Sequence, residues 1–304
     1  MSSQSQQASP VPGLHARLSS KAVVYFRLTK PRIALLLLIS TAAGMLAAGG
    51  GTVSWGLASA LLAGGFLCAG GAGAMNCYLD RELDVAMERT RRRPLPMGQV
   101  SPRSGLAFSI AISLLSIPVL LLVSPLVALL SAAAWLYYVL VYSVYLKRRT
   151  HQNVVVGGAA GAFPPLIGWA AVTGGVDLSA VFLFLIVFFW TPPHAYALML
   201  VVKEDYRRVS VPMLPVVLGD KGTGRHILLY SVLLLVLTAV PAALGLFGMV
   251  YMATAVLLGI LFVLFAAILY RTLERVWAIR LFRYSNLYLA ALFLGLVLDR
   301  ALAS

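Results

Sequence analysis

A chain of 304 residues that is 61% hydrophobic and only 11% charged, with a mean hydropathy of +0.90, lies far outside the roughly 45–50% apolar composition of soluble domains. Apolar runs that mix Leu, Ala, Gly and Val without two-residue alternation exclude an outer-membrane barrel as well. The net charge of +14 is split among five segments, which predicts basic membrane edges facing anionic lipid and no nucleic-acid partner, since a nucleic-acid binder gathers its charge on one face.

In chain order, residues 1–20 are polar, carry no apolar signal core, and predict a disordered tail ahead of a single membrane domain over 21–304. Nine runs then follow, each long enough to cross a hydrocarbon core of ~30 Å as a helix: 33–49, 53–75, 105–123, 125–146, 153–173, 178–201, 226–247, 249–270 and 284–302. The break between the third and fourth rests on "VSPL" at 123–126. Charge checks the count independently, because short cytoplasmic loops collect Lys and Arg. With nine spans, every Lys and Arg except Arg300 falls on one side. The fold class predicted is therefore an all-α integral membrane protein of nine helices around a central cavity, N-terminus cytoplasmic and C-terminus outside. Cys68 and Cys77 have no metal-like spacing and read as packing residues.

The charge rule accounts for the arginines but not for the acids. Four of the ten, Asp80, Glu82, Asp84 and Glu88, share the loop after the second span, and Glu204, Asp205 and Asp220 share the one after the sixth. Asn76, Asp80 and Asp84 are four apart, so continued helix would align them on one stripe, each step rising about 6 Å. Such a ladder repels itself unless a cation intervenes, and hard oxygen donors suit Mg²⁺, which shares its shell with substrate phosphates. Arginines follow in both loops, at "RTRRRPLP" and "RRVSVPMLP", and planar guanidinium forks suit diphosphate. The rival reading of 76–93 is a solvated helix with intrahelical ion pairs.

The stretch "NCYLDRELDVAMERTRRRPLP" resembles the Asn-x-x-x-Asp-x-x-x-Asp signature of the intramembrane UbiA-type prenyltransferases. Together with "LTKPRI", "YLKRRTHQN", "GAFPPLIGW", "TPPH" and "DYRRVSVPMLP" it is similar to the narrower family of protohaem IX farnesyltransferases, or haem O synthases. That resemblance implies transfer of a farnesyl group from farnesyl diphosphate to a vinyl group of haem B, with water addition. It also implies Mg²⁺ as cofactor and haem A synthase or oxidase assembly factors as candidate partners, while the short, arginine-poor N-terminus points to a bacterial inner membrane in preference to a mitochondrial one. Two departures stand out: Asp205 is followed four residues on by Val209 where the superfamily often has a second Asp, and Ala195 follows His194 where the family usually has a bulky aromatic.

On this reading Asp80 and Asp84 are metal ligands with Asp205 opposite, and Asn76 is a supporting polar contact. Arg89 and Arg93, four apart, would share a helical face and hold the diphosphate. Lys147, Arg148 and Lys203 would contact the diphosphate or a haem propionate, or merely anchor the membrane edge, and Tyr206 pairs with Asp205 in the pattern of the haem branch. His194, in span six behind Pro192 and Pro193, is an ionisable group at a depth that suggests function; ligation of haem iron and proton transfer both stay open. Trp135, Tyr137, Tyr138, Tyr142, Trp169 and Trp190 could shield a farnesyl cation or pack. An aromatic prenyltransferase of quinone biosynthesis and an organic-anion transporter are the alternative functions.

Overall fold

The computed structural model describes residues 14–303, with side chains from Lys21 onward. Residues 1–13 of the expected tail lie outside the described residues, and residues 14–20 form the first turns of α1 (Leu14–Leu28). Among the described residues nine helices are long and apolar enough to cross a membrane: α2 (Pro31–Ala48), α3 (Trp55–Leu79), α5 (Pro102–Leu121), α6 (Pro125–Leu146), α8 with its preceding turn α7 (Asn153–Thr173), α9 (Leu178–Val201), α12 (Gly219–Ala243), α13 (Met249–Thr272) and α14 (Arg275–Ala303). Short helices α4 (Arg81–Ala86), α10 (Lys203–Arg208) and α11 (Leu214–Val217) lie in the connections.

The doubtful break is real, and its chemistry is local. Ser124 accepts from the Val127 N–H at 3.1 Å and Pro125 occupies the first helical position, a cap and a residue pre-set for helix entry. Several helices outrun their apolar stretch at the basic end: α12 starts at Gly219 and α14 at Arg275, because once a helix is nucleated polar residues extend it at little cost.

The helices form a ring in which each meets the next in chain order and α2 closes against α14, while α2 and α8, and α9 and α14, also meet across it. The second half of the ring packs solidly around Trp169, Leu183, Tyr196, Tyr251, Phe262 and Tyr288. The first half is held by close backbone approach: a Cβ on Gly168 would lie 2.0 Å from the Thr41 carbonyl oxygen, and one on Gly44 2.1 Å from that of Pro165. Small residues at such crossings are what let lipid-embedded helices gain packing energy. Between the halves lies an apolar cavity of about 440 Å³, lined from α2, α3, α6, α8, α9 and α14, within the ~300–1,000 Å³ range of small-molecule sites. It follows α3 from Gly73 down to Leu61, a depth of ~18 Å at 1.5 Å per residue. Trp135, Tyr138, Tyr142 and Trp190 line it, whereas Trp169 donates its indole N–H to Asp177 and Tyr137 its hydroxyl to the Val156 carbonyl.

Candidate functional site

The Asn-Asp-Asp ladder survives a helix break. α3 ends at Leu79, yet the Asp80 N–H still donates to the Asn76 carbonyl at 2.9 Å and the Asp84 N–H to that of Asp80 at 2.8 Å. The four-residue register is therefore kept across Asp80, and both carboxylates turn inward, 3% and 2% exposed. They stand at the basic end of the bundle, on the helix whose Gly73 borders the cavity.

Every member of the ladder has a cationic or polar partner. Lys147, at the end of α6, donates to Asp80 Oδ2; Arg93 donates to Asp84 Oδ2 at 2.6 Å; Lys30 donates to Asn76 Oδ1 at 2.5 Å, and Asn76 Nδ2 donates to Ser143 Oγ at 3.0 Å. Burial works against the Arg93 charge, but the neighbouring groups, Asp84 foremost with Asp80 adding to it, together outweigh burial, and the guanidinium pKa stands above its ordinary value. For Lys30 burial prevails over Asp80 and Asp84, and its pKa is lowered.

Lys30 is a site residue that the charge pattern concealed among the membrane-edge lysines. It adopts a left-handed backbone (φ 52°, ψ 58°) directly before Pro31, a conformation costly for a side chain with a Cβ. The turn carrying it docks onto α3 only because of glycine: a Cβ on Gly73 would lie 2.9 Å from the Thr29 carbonyl oxygen. The glycine run before Asn76 thus serves to bring Lys30 onto the ladder. The Lys-Pro step ahead of an apolar helix was the available signal.

The last ten residues of α6, Tyr137–Leu146, are a π-helix, a rare form that concentrates at functional sites. Its i→i+5 bonds bring residues four apart nearly into register, and Tyr138 and Tyr142 stack at 5.6 Å and 24° on the cavity wall. The same segment delivers Ser143 to Asn76 and Lys147 to Asp80. Gly157, within the glycine run at 157–163, makes room for this: a Cβ there would sit 2.2 Å from the Tyr142 ring.

Other expected roles are redistributed. Residues 87–93 are turns, not helix, so Arg89 and Arg93 do not share a face: Arg93 reaches Asp84 while Arg89 donates to the Tyr206 hydroxyl at 3.3 Å. Asp205 sits between the two loops. Its two oxygens accept the backbone N–H groups of Glu88 and Arg89, both at 3.3 Å, and among the described residues no three Asp, Glu, His or Cys converge as a metal cluster. Asp205 and Tyr206 instead clasp the two loops together. Lys203 pairs with Asp220 at 2.6 Å, and exposed Arg148 donates to the Leu79 carbonyl at 3.5 Å, a cation at a helix C-terminus. The expected intrahelical pairs are also absent from Asp84: Arg81 pairs with Glu82 at 2.9 Å. Asn153, fully buried, donates to the Lys147 carbonyl at 3.3 Å and so supports that turn.

The donor chemistry fits one divalent ion. Asp80 and Asp84 each spend Oδ2 on a cation and keep Oδ1 without a hydrogen bond among the described residues, and a carboxylate can accept several partners. His194 lies deeper in α9, its ring between Trp190 (4.2 Å) and Phe282 (4.8 Å).

Residues 37–292 match the model of the UbiA prenyltransferase family. The chain is 50% identical over 289 residues to the protoheme IX farnesyltransferase of Symbiobacterium thermophilum, covering 93% of this chain and 96% of that protein. It is 46% identical over 280 residues to that of Roseiflexus castenholzii, covering 91% of this chain but 52% of the relative, so it spans about half the length of some curated relatives it matches. Among solved structures, digeranylgeranylglyceryl phosphate synthase superposes with a TM-score of 0.78 at 19% identity, covering 93% and 99% of the two chains. A UbiA homolog from Archaeoglobus fulgidus bound to DMAPP and Mg²⁺ gives 0.65 at 17% identity, covering 90% and 98%. At such identities the likeness is one of fold.

Proposed function

Since this chain belongs to the UbiA prenyltransferase family, we propose that it transfers a farnesyl group from farnesyl diphosphate to a vinyl group of protohaem IX, with addition of water, giving haem O. The observation that carries the reading is a pair of buried carboxylates, each with one uncommitted oxygen, ringed by Lys147, Arg93 and Lys30, the last of which also lines the apolar cavity. The acceptor is argued from the relatives that match over almost their whole length.

Asp80 and Asp84 would hold Mg²⁺ through their Oδ1 atoms. When bound, such an ion neutralises the diphosphate and makes it a better leaving group. The chain's own cations do the same from the rim: Lys147 and Arg93, drawn toward diphosphate oxygens, would exchange part of their bonding to Asp80 and Asp84 for bonds to substrate, and Lys30 adds a third charge already oriented by Asn76. The Lys30 charge, oriented in advance, stabilises developing charge with little reorganisation. The C1–O bond of the isoprenoid breaks with its electron pair leaving on the diphosphate. A vinyl carbon of haem forms the new C–C bond, and water adds to the adjacent carbon with loss of a proton. The stacked faces of Tyr138 and Tyr142 at the cavity wall would shield the allylic cation from premature capture. Asp205 and Tyr206, by tying the Glu88–Arg89 turn to α10, close the cap over the site.

The protein is an integral membrane protein. We place it in a bacterial inner membrane with the basic end, the N-terminus and the site cytoplasmic, passing product to haem A synthase or an oxidase assembly factor. Incubation of purified protein with farnesyl diphosphate, Mg²⁺ and haem B should yield a farnesylated, hydrated porphyrin by mass. Prenylation of a hydroxybenzoate in its place would make it an aromatic prenyltransferase, and no product from any acceptor would refute transferase activity.

A further inference from the structure

Arg27, in the last turn of α1, donates from its guanidinium to the Arg92 carbonyl at 3.4 Å. The bond ties α1 to the turn over residues 87–93, and Arg27, Arg91 and Arg92 frame a surface pocket there with Met97 and Gln99. Neighbouring cations have acids: Arg81 meets Glu82, Arg93 turns inward onto Asp84, and Lys147 meets Asp80. These three do not. Each is exposed and without a carboxylate partner among the described residues, and Glu88, the acid of the same turn, pairs with none of them. Like charges gathered round one hollow repel unless an anion joins them.

The level of the pocket follows from the residue beside Arg27. Phe26 stacks on Phe66 with ring centroids 6.1 Å apart and planes at 27°, and Phe66 is at the middle of the membrane-spanning α3. The Phe26 ring therefore reaches hydrocarbon, while the arginine next to it reaches the turn at the basic end. Val23, four residues before Arg27 and so on its side of the helix, is 58% exposed, Phe26 51% and Met97 56%. Apolar surface open to lipid thus adjoins the three charges.

We propose that Arg27, Arg91 and Arg92 form a binding site for the phosphate of an anionic phospholipid, whose acyl chains run past Val23 and Phe26 into the bilayer. Guanidinium forks meet phosphate oxygens in paired hydrogen bonds. A zwitterionic headgroup brings a cation of its own into the same pocket and is disfavoured there. A soluble phosphate gains the bonds to arginine but covers none of the apolar surface, whereas a lipid covers it and is held in place.

The test uses the full-length protein in phosphatidylcholine nanodiscs, titrated with phosphatidylglycerol, with bound lipid counted by native mass spectrometry. The wild type should retain phosphatidylglycerol over phosphatidylcholine. Combined Arg27→Gln, Arg91→Gln and Arg92→Gln should weaken that binding on the order of 100-fold, at about 5-fold per arginine near an anionic surface. Combined Arg271→Gln, Arg275→Gln and Arg283→Gln, exposed cations on α13 and α14, removes the same charge elsewhere and should leave binding as in the wild type. If the first combination fails to fold, Arg91→Gln alone, whose side chain has no bond among the described residues, should still cost about 5-fold. Equal retention of the two lipids by the wild type, or an equal loss in both triple variants, overturns the inference by reducing the attraction to diffuse charge. Inorganic phosphate that displaces phosphatidylglycerol from the wild type at equal concentration overturns the lipid as the occupant.

Discussion

The Asp80–Lys147 pair allows stability and chemistry to be separated. Asp80 is 3% exposed and its side chain is bonded to a Lys147 side chain that is 12% exposed, so neither charge is well hydrated. Asp80→Asn leaves Lys147 without its counter-charge, and breaking a buried pair in this way costs about 3–5 kcal/mol; the position at the end of the bundle argues for the lower figure. Lys147→Met strands Asp80 with a comparable penalty. The double variant carries neither charge and should lie well above the sum of the singles, with a coupling of ~1.5–3 kcal/mol, at the upper part of the range for residues in contact. Equilibrium unfolding of the four proteins in one detergent measures this. Turnover should behave differently: Asp80→Asn, Lys147→Met and the double variant should all be silent, because regained stability does not return the Oδ1 ligand. Additive stabilities within about 0.5 kcal/mol would refute the pair, and a double variant that regains turnover would refute Asp80 as a metal ligand.

Lys30 gives a pH dependence with a definite sign. Burial lowers its folded pKa below the usual 10.5, so between the folded and unfolded values the unfolded chain binds more protons and stability rises with pH. Activity should run the other way, falling as pH rises through the folded value; Lys30→Arg, charged throughout, should shift that alkaline limb upward, and an unmoved limb in the pH–rate profile would exclude Lys30. Gly168→Ala places a methyl within 2.0 Å of the Thr41 carbonyl oxygen, and with backbone on both sides it should lose at least the 1–3 kcal/mol typical of overpacking, read as a lower midpoint in thermal unfolding. Gly161 lines the cavity and a Cβ there meets nothing within 4 Å, so Gly161→Leu should fold normally yet lower kcat/KM for the prenyl diphosphate by roughly 10–200-fold, as a mismatch in an apolar pocket does. Unchanged kinetics would show that the isoprenoid does not occupy this cavity.

Asn76, Asp80 and Asp84 could be aligned in advance because a four-residue interval is a property of helical geometry alone, and it persisted even where α3 gives way to α4. The same argument failed for Arg89 and Arg93, since residues 87–93 leave the helix and each arginine follows whichever acceptor the loops bring near. Asp205 has a use that the sequence did not suggest: the turn at Glu88 and Arg89 presents two N–H groups that it satisfies.

Unaided, the sequence determined the class of protein, the number of spans and the rim on which the acids gather, because hydropathy and charge act on each segment independently of its neighbours. Which cation meets which carboxylate was decided only by tertiary structure: Lys30 reaches Asn76 across 46 positions and Lys147 reaches Asp80 across 67. The meeting of Arg27 with Arg92, 65 positions away, belongs to the same category. Such pairings depend on how closely helices approach, and in this chain that is fixed by glycines and a π-helical segment whose effect appears only when two helices are laid side by side.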